Sequence, residues 1–152
     1  MRRAALLALL ALGACAAVPA TLPPGARPDL APSWVDANGY RWPPDNGFEA
    51  RASWIVLPPG LLLDRFGGEG GRFFSPRGAA FAARALPTVC AGLRYTTYRV
   101  TAPLLVRVGA AAPWFGEPGG ATQVMTDATV AQLLGDGSLE AVPGVEAPCP
   151  RS

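Results

Sequence analysis

The sequence predicts an α+β fold: one compact domain, mostly antiparallel β-strands with one or two short helices. Three observations carry that expectation. Apolar runs are short and end at Gly or Pro signals, as in "SWIVLPPG", "LLLDRFG" and "YRVTAPLLVRVG". Only "PRGAAFAARALP" and "DATVAQLLGDG" have helical composition, and no βαβ alternation joins them to strands. A chain of 152 residues builds one core, and neither repeats nor a second domain are visible.

Residues 1–20 read as an export signal, with Arg2 and Arg3 ahead of the apolar run Ala4–Leu12. That run is too short to span a bilayer, and "VPATLPPGARP" breaks any helix directly after it. Within it, "LGAC" (12–15) looks like a bacterial lipoprotein processing box, with cleavage before Cys15 and a diacyl anchor on that residue. Ordinary cleavage near Ala17 or Ala20, giving a secreted protein, is the alternative. Residues 21–39 are Pro-rich and aperiodic and read as a linker. The domain is expected over 40–145, with 146–152 as a tail.

"YRWPPDNGF" is a turn-rich entry, and "LLLDRFG" and "RFFS" read as paired strands. The stretch "LDRFGGEGGRFFSP" (63–76) between them sets four glycines around Glu69. It fails G-x-G-x-x-G at its last position, where Phe73 stands, and no helix follows it, so a hairpin tip is expected rather than a phosphate cradle. "PRGAAFAARALP" is bounded by Pro76 and Pro87 and suits a helix. Pro103 demotes "YRVTAPLLVRVG" to an edge or bent strand. "APWFGEPGGATQVM" is a Gly/Pro loop leading into a strand. Asp127 is a candidate N-cap and Gly135 a stop for a short helix, and "SLEAV" closes the domain as a strand.

What the chain lacks is the sharper information. It has 13 Arg, no Lys, no His and 11 acids. Without Arg2 and Arg3, Arg and acids balance, and no basic run tracks a nucleic-acid backbone, so no nucleic-acid partner is expected. Absence of His excludes Ser-His and Cys-His nucleophiles and leaves a Cys/His zinc site without ligands. Absence of Lys excludes a P-loop and a Schiff base. Asp, Glu, Arg, Tyr, hydroxyls and amides remain, a set that suits electrostatic catalysis such as cleavage through an oxocarbenium-like state. Cys90 and Cys149 are an even pair once Cys15 is set aside, and in an oxidising compartment they suggest a disulfide; two unpaired thiols are the alternative.

"WPPDNGF", "DRFG", "GRFFSPRG", "RALP", "YTTYRV", "APWFGEPGGATQ" and "LLGDGSLEAV" stand in an order that resembles the tuberculosis necrotizing toxin domain family over about residues 40–143. The resemblance implies an NAD+ glycohydrolase, releasing nicotinamide and ADP-ribose, with NAD+ as substrate and no cofactor. It places catalytic roles on Arg65, Arg84 and Gln123 and substrate contacts on Phe66 and Phe73. Two guanidinium planes match a pyrophosphate, and an aromatic face suits the cationic nicotinamide. Gln123 cannot act as a general base; it would hold a ribose hydroxyl or orient water. Nicotinamide departs neutral, so no general acid is needed. Trp114 is a further substrate-binding candidate, with loop anchoring as its alternative, and Asp64 is expected to orient Arg65. Tyr95 and Tyr98 are expected to pack on a strand.

The chain departs from the family pattern at Trp42, at the order Asp45-Asn46, and in lacking the pocket His of one toxin branch. A fungal calcium site is not carried over. By family analogy a cognate immunity protein is an expected partner, with the membrane reached only through the lipid anchor. The competing expectations are ADP-ribosyl transfer, with Glu117 as its acid, and a lipoprotein that only binds a nucleotide or a partner.

Overall fold

The structure is a computed structural model that describes residues 21–150. The expected signal and Cys15 lie outside the described residues. Nine strands and one α-helix are present among them: β1 Val35–Asp36, β2 Gly39–Tyr40, β3 Ser53–Leu57, β4 Leu62–Phe66, β5 Phe73–Pro76, β6 Tyr95–Val100, β7 Leu104–Ala110, β8 Thr122–Met125, α1 Val130–Gly135 and β9 Leu139–Val142. Strands β1 and β2 form a small ribbon; the others form one sheet in the order β3-β7-β8-β5-β4-β6-β9. Every pairing is antiparallel. The α+β expectation therefore holds.

The core follows from alternation along the strands. Leu63, Phe74, Tyr98, Val100, Val106 and Val124 share one buried cluster with Val130 and Leu133 of α1 and with Leu139. Residues at every second position turn to the same face of a strand, so the residues between them fall on the other face, where the cleft lies.

Four local expectations change. "PRGAAFAARALP" makes only a 3-10 turn, Ala82–Arg84, because Gly78 (φ 90°) and Ala85 (φ 51°) take left-handed backbone that no α-helix contains. Pro103 does not make an edge strand: it sits in the crossing between β6 and β7, where no ladder N–H is needed, and both strands are internal. The cap of α1 is Thr129 rather than Asp127. Its side chain accepts from Gln132 N at 3.3 Å while Gln132 Oε1 accepts from Thr129 N at 2.9 Å, a reciprocal capping box.

The fourth change concerns 21–39, which packs onto the domain instead of spacing it. Leu30 and Val35 are buried with Phe115, and Leu22, Ala26 and Trp34 lie against them. Arg27 donates to Phe115 O at 2.7 Å and pairs with Glu117. Ala26 bridges to Thr88. The folded unit thus begins well before Tyr40. At the other end Cys90 and Cys149 form a disulfide, 59 residues apart in sequence. It draws Ala147 and Cys149 onto a cluster of Phe66, Phe81, Leu86, Leu93 and Tyr95. No helix of the described residues is long and apolar enough to cross a membrane.

Candidate active site

Strands β5 and β8 are neighbours in the sheet and carry Phe73 and Gln123 on one face, whereas Arg65 leaves β4 on the face of Leu63 and its side chain lines the same cleft from near the end of the strand. The hairpin after β4 closes around Arg65. Its Nε donates to Gly68 O at 3.0 Å and its Nη1 to Phe73 O at 2.8 Å. A Cβ on Gly71 would fall 1.7 Å from Arg65 Nη2, so only glycine leaves room for the guanidinium. The glycine cluster is a hairpin tip, as expected, with a second task. Glu69 O and Gly71 O accept from Ala131 N and Val130 N, satisfying two of the donors that open α1. Burial lowers the Arg65 pKa from its ordinary value, with Tyr98 opposing the shift.

Arg84 ends the short 3-10 turn and is held quite differently. Its Nη1 forms an ion pair with Asp64 Oδ1, and the two side chains are 7% and 0% exposed. Its Nε and Nη2 donate to Ala79 O at 3.2 and 2.8 Å. The other carboxylate oxygen, Asp64 Oδ2, accepts from Gly78 N at 2.9 Å and Tyr95 Oη at 2.8 Å. Asp64 therefore orients Arg84 and not Arg65, since its side chain turns to the face opposite its neighbour's. Burial raises the Tyr95 pKa; a hydrogen bond with Thr97 opposes that shift and the one to Asp64 adds to it.

Phe66 is buried beneath Arg84, whose Cζ lies 5.0 Å from the ring centroid, and it packs edge-on against Phe81 at 4.9 Å. It supports the guanidinium, and the more open ring is Phe73, 37% exposed. Trp114 is not brought to the site: its Nε1 donates to Arg41 O at 2.6 Å and its ring meets Trp34 at 5.1 Å. Glu117 is engaged by Arg27 and does not line the cleft. Tyr98 is buried on its strand, as expected.

The cleft has a volume of about 670 Å³ and is lined by Arg65, Phe66, Phe73, Arg84 and Gln123 together with residues to which sequence reasoning gave no site role. Chief among these are Tyr40, Trp42, Asn46 and Gly47 on the opposite wall, and Ala85–Thr88. Trp42 is 59% exposed and stands edge-on to Phe115 at 5.3 Å, so a buried aromatic holds an exposed one at the rim. A Trp placed between a charged residue and two prolines, where it has no strand to pack on, was the available signal. Gln123 Nε2 donates to Asn46 O at 2.9 Å, tying the strand wall to the loop wall. Among the described residues no group of three or more His, Cys, Asp or Glu is placed to hold a metal. Two guanidinium groups, an amide and open aromatic rings around one cleft define a pocket for an anionic ligand that carries flat rings.

A family model described as Tuberculosis necrotizing toxin matches residues 56–142. The chain belongs to this family. It is also 38% identical over 124 residues to the conidial surface nicotinamide adenine dinucleotide glycohydrolase of Aspergillus fumigatus, covering 73% of this chain and 51% of that protein. The chain thus spans about half the length of the curated relative it matches. Among solved structures it is similar to the tuberculosis necrotizing toxin complexed with its immunity factor, with a TM-score of 0.59 and 27% identity over 70% of this chain and 65% of that one. Arg65, Phe66, Phe73, Arg84 and Gln123 fall inside the matched span, whereas the wall from Tyr40 to Gly47 precedes it.

Proposed function

We propose that the chain hydrolyses NAD+ to nicotinamide and ADP-ribose in this cleft. The observation that carries the reading is the meeting of Arg65, Arg84, Phe73 and Gln123 around one cavity inside the family-matched span. Arg65 brings the positive charge for the pyrophosphate, and Arg84 offers a rigid donor plane beside it. Phe73 and Trp42 take the flat rings. The C1′–N bond breaks with its electron pair passing to the nicotinamide nitrogen, which cancels the pyridinium charge. Water attacks C1′ and its proton leaves to solvent. Gln123 holds a ribose hydroxyl or that water. No general acid or base is called for, in keeping with a chain that contains no His.

In this reading the protein acts outside the cytoplasm, either anchored through Cys15 or secreted. The disulfide suits an oxidising compartment, and the curated relative is a conidial surface protein. A cognate immunity protein is the proposed partner, because the similar toxin was solved with its immunity factor. NAD+ serves as substrate and no cofactor is required.

The test is NAD+ consumption by the oxidised full chain. Nicotinamide release matching NAD+ loss, with free ADP-ribose, is expected, and Gln123→Ala is expected to lower the rate by about 100-fold or more. ADP-ribose attached to a protein would move the assignment to transferase chemistry. No release from folded, oxidised protein would leave a binding lipoprotein.

A further inference from the structure

Directly above Gln123 the chain makes a turn that side chains rarely tolerate. Asp45, Asn46 and Gly47 have φ of 52°, 57° and 78°, three successive left-handed residues. Two of them are not glycine, so each stores backbone strain that the surroundings must hold in place. The turn is fastened to the end of β7. Gly47 O accepts from Ala112 N at 2.8 Å, and Glu49 N donates to Ala110 O at 2.9 Å. Phe48, 7% exposed, is seated over Gly109, where a Cβ would come within 2.9 Å of its ring. Gly109 is the cross-strand partner of Gln123. The missing side chain beside Gln123 is thus the space that seats the turn above it.

This arrangement fixes one atom of the amide. A main-chain carbonyl only accepts hydrogen bonds, so the Gln123 atom 2.9 Å from Asn46 O is the NH2 group. The other end, Oε1, has no protein donor among the described residues, and Gln123 lines the cleft. A side chain at position 47 would press on Pro43, with its Cβ 3.3 Å from Cγ, and would come into ordinary contact with Gln123 Oε1 at 3.6 Å.

We propose that the Asp45–Gly47 turn is a positioning element that spends the Gln123 donor on the Asn46 carbonyl and so presents Oε1 to the cleft as a hydrogen-bond acceptor. The inference rests on the NAD+ reading. The group it receives is an O–H donor, a ribose hydroxyl or the attacking water. Asn46 acts here through its backbone and not its side chain.

Asn46→Val and Asn46→Gly separate these roles, since both delete the amide side chain but only the β-branched residue opposes left-handed backbone. The full chain is assayed for kcat and KM, melted, and observed by the 1H–15N signals of the Gln123 NH2, assigned through their loss in Gln123→Ala. Asn46→Val is expected to lower kcat by about tenfold with KM within about twofold, and to shift the amide signals. Asn46→Gly, which keeps the left-handed backbone, is expected to lose distinctly less kcat than Asn46→Val and to leave the amide signals in place. If Asn46→Val does not fold, Gly109→Ala, which displaces Phe48, is expected to give the same kcat loss. Equal losses in both Asn46 variants, no loss in either, or a loss with unmoved amide signals would overturn the proposal. An analogue lacking the 2′-hydroxyl of the nicotinamide ribose tells the two donors apart: the Asn46→Val penalty persists for water and collapses for the hydroxyl. If the unaltered chain releases no nicotinamide, the NAD+ reading fails, and the amide signals still decide whether the turn holds Gln123.

Discussion

The two arginines of the cleft carry the same group into opposite electrostatic settings. Arg84 meets a carboxylate that is 0% exposed, so the pair is nearly neutral and its value lies in rigidity. Arg65 is held by the carbonyls of Gly68 and Phe73, which orient it without cancelling its charge. The difference separates two burdens. In the proposed function, integrity of the fold falls on Arg84, because Asp64 has no other cation among the described residues, and attraction of a phosphate falls on Arg65. A resemblance of motifs assigns both residues one role; their partners assign them different ones.

The sharpest way to break this comparison is Arg84→Ala. It strands the Asp64 charge in the interior, which is expected to cost about 3–5 kcal/mol of stability, read by denaturant unfolding. Arg84→Met combined with Asp64→Leu removes both charges together and is expected to restore most of that loss while NAD+ hydrolysis stays abolished. If the double variant were as unstable as Arg84→Ala, packing around Phe66 rather than charge would explain Arg84.

Next in size is the disulfide that backs the Arg84 side of the cleft. Replacing both Cys90 and Cys149 by Ala is expected to cost about 2–4 kcal/mol, since the bridge closes a long loop and fastens the tail over Phe66 and Phe81. The hydrogen bonds that hold Arg65 go to Gly68 and Phe73, outside that cluster, so KM is expected to change less than the unfolding midpoint. Arg65→Lys reverses the pattern. An ammonium cannot hold both carbonyls and present a plane to phosphate, so KM is expected to rise about tenfold with stability changed by less than about 1 kcal/mol. Gly71→Ala, which pushes into the guanidinium, is expected to mimic it.

Sequence reasoning reached the strand-borne half of the site. Short apolar runs bounded by Gly and Pro located β4, β5 and β9, and composition left Arg and amide groups as the candidates for chemistry. It did not reach the partners. Asp64 stands next to Arg65 in sequence and binds Arg84, because neighbours on a strand face opposite ways while a turn twenty residues on returns to the same face. Nor did it reach the loop wall. Residues 21–39 look like a spacer in composition, and only contact with Phe115 shows that Leu30, Trp34 and Val35 hold Tyr40 and Trp42 at the cleft. Trp114 illustrates the converse: the sequence offered it as a ligand contact or a loop anchor, and its hydrogen bond to Arg41 O makes it the clasp of that wall.

The smallest expected effect tests the Arg84 side alone through Tyr95, whose hydroxyl donates to Asp64. Its pKa is raised above the ordinary 10.0 by burial, against a contrary hydrogen bond with Thr97 and with reinforcement from Asp64. The folded state therefore holds the phenol proton more tightly than the unfolded chain does. That contribution is whole below about pH 10 and is lost as pH rises through the folded-state value, because a phenolate beside the carboxylate is disfavoured. Tyr95→Phe is expected to lower stability by about 1 kcal/mol at neutral pH, by removing one donor from Asp64, and to flatten the decline above pH 10. A residual slope is expected from Tyr40, whose pKa burial also raises. Arg65→Gln, which brings no titrating group into this range, is expected to leave the slope through the Tyr95 value as it is, since Arg65 makes no hydrogen bond to Tyr95 or Asp64 among the described residues. If Arg65→Gln flattened it and Tyr95→Phe did not, the two guanidinium sites would be coupled, and the division of labour between them would fall.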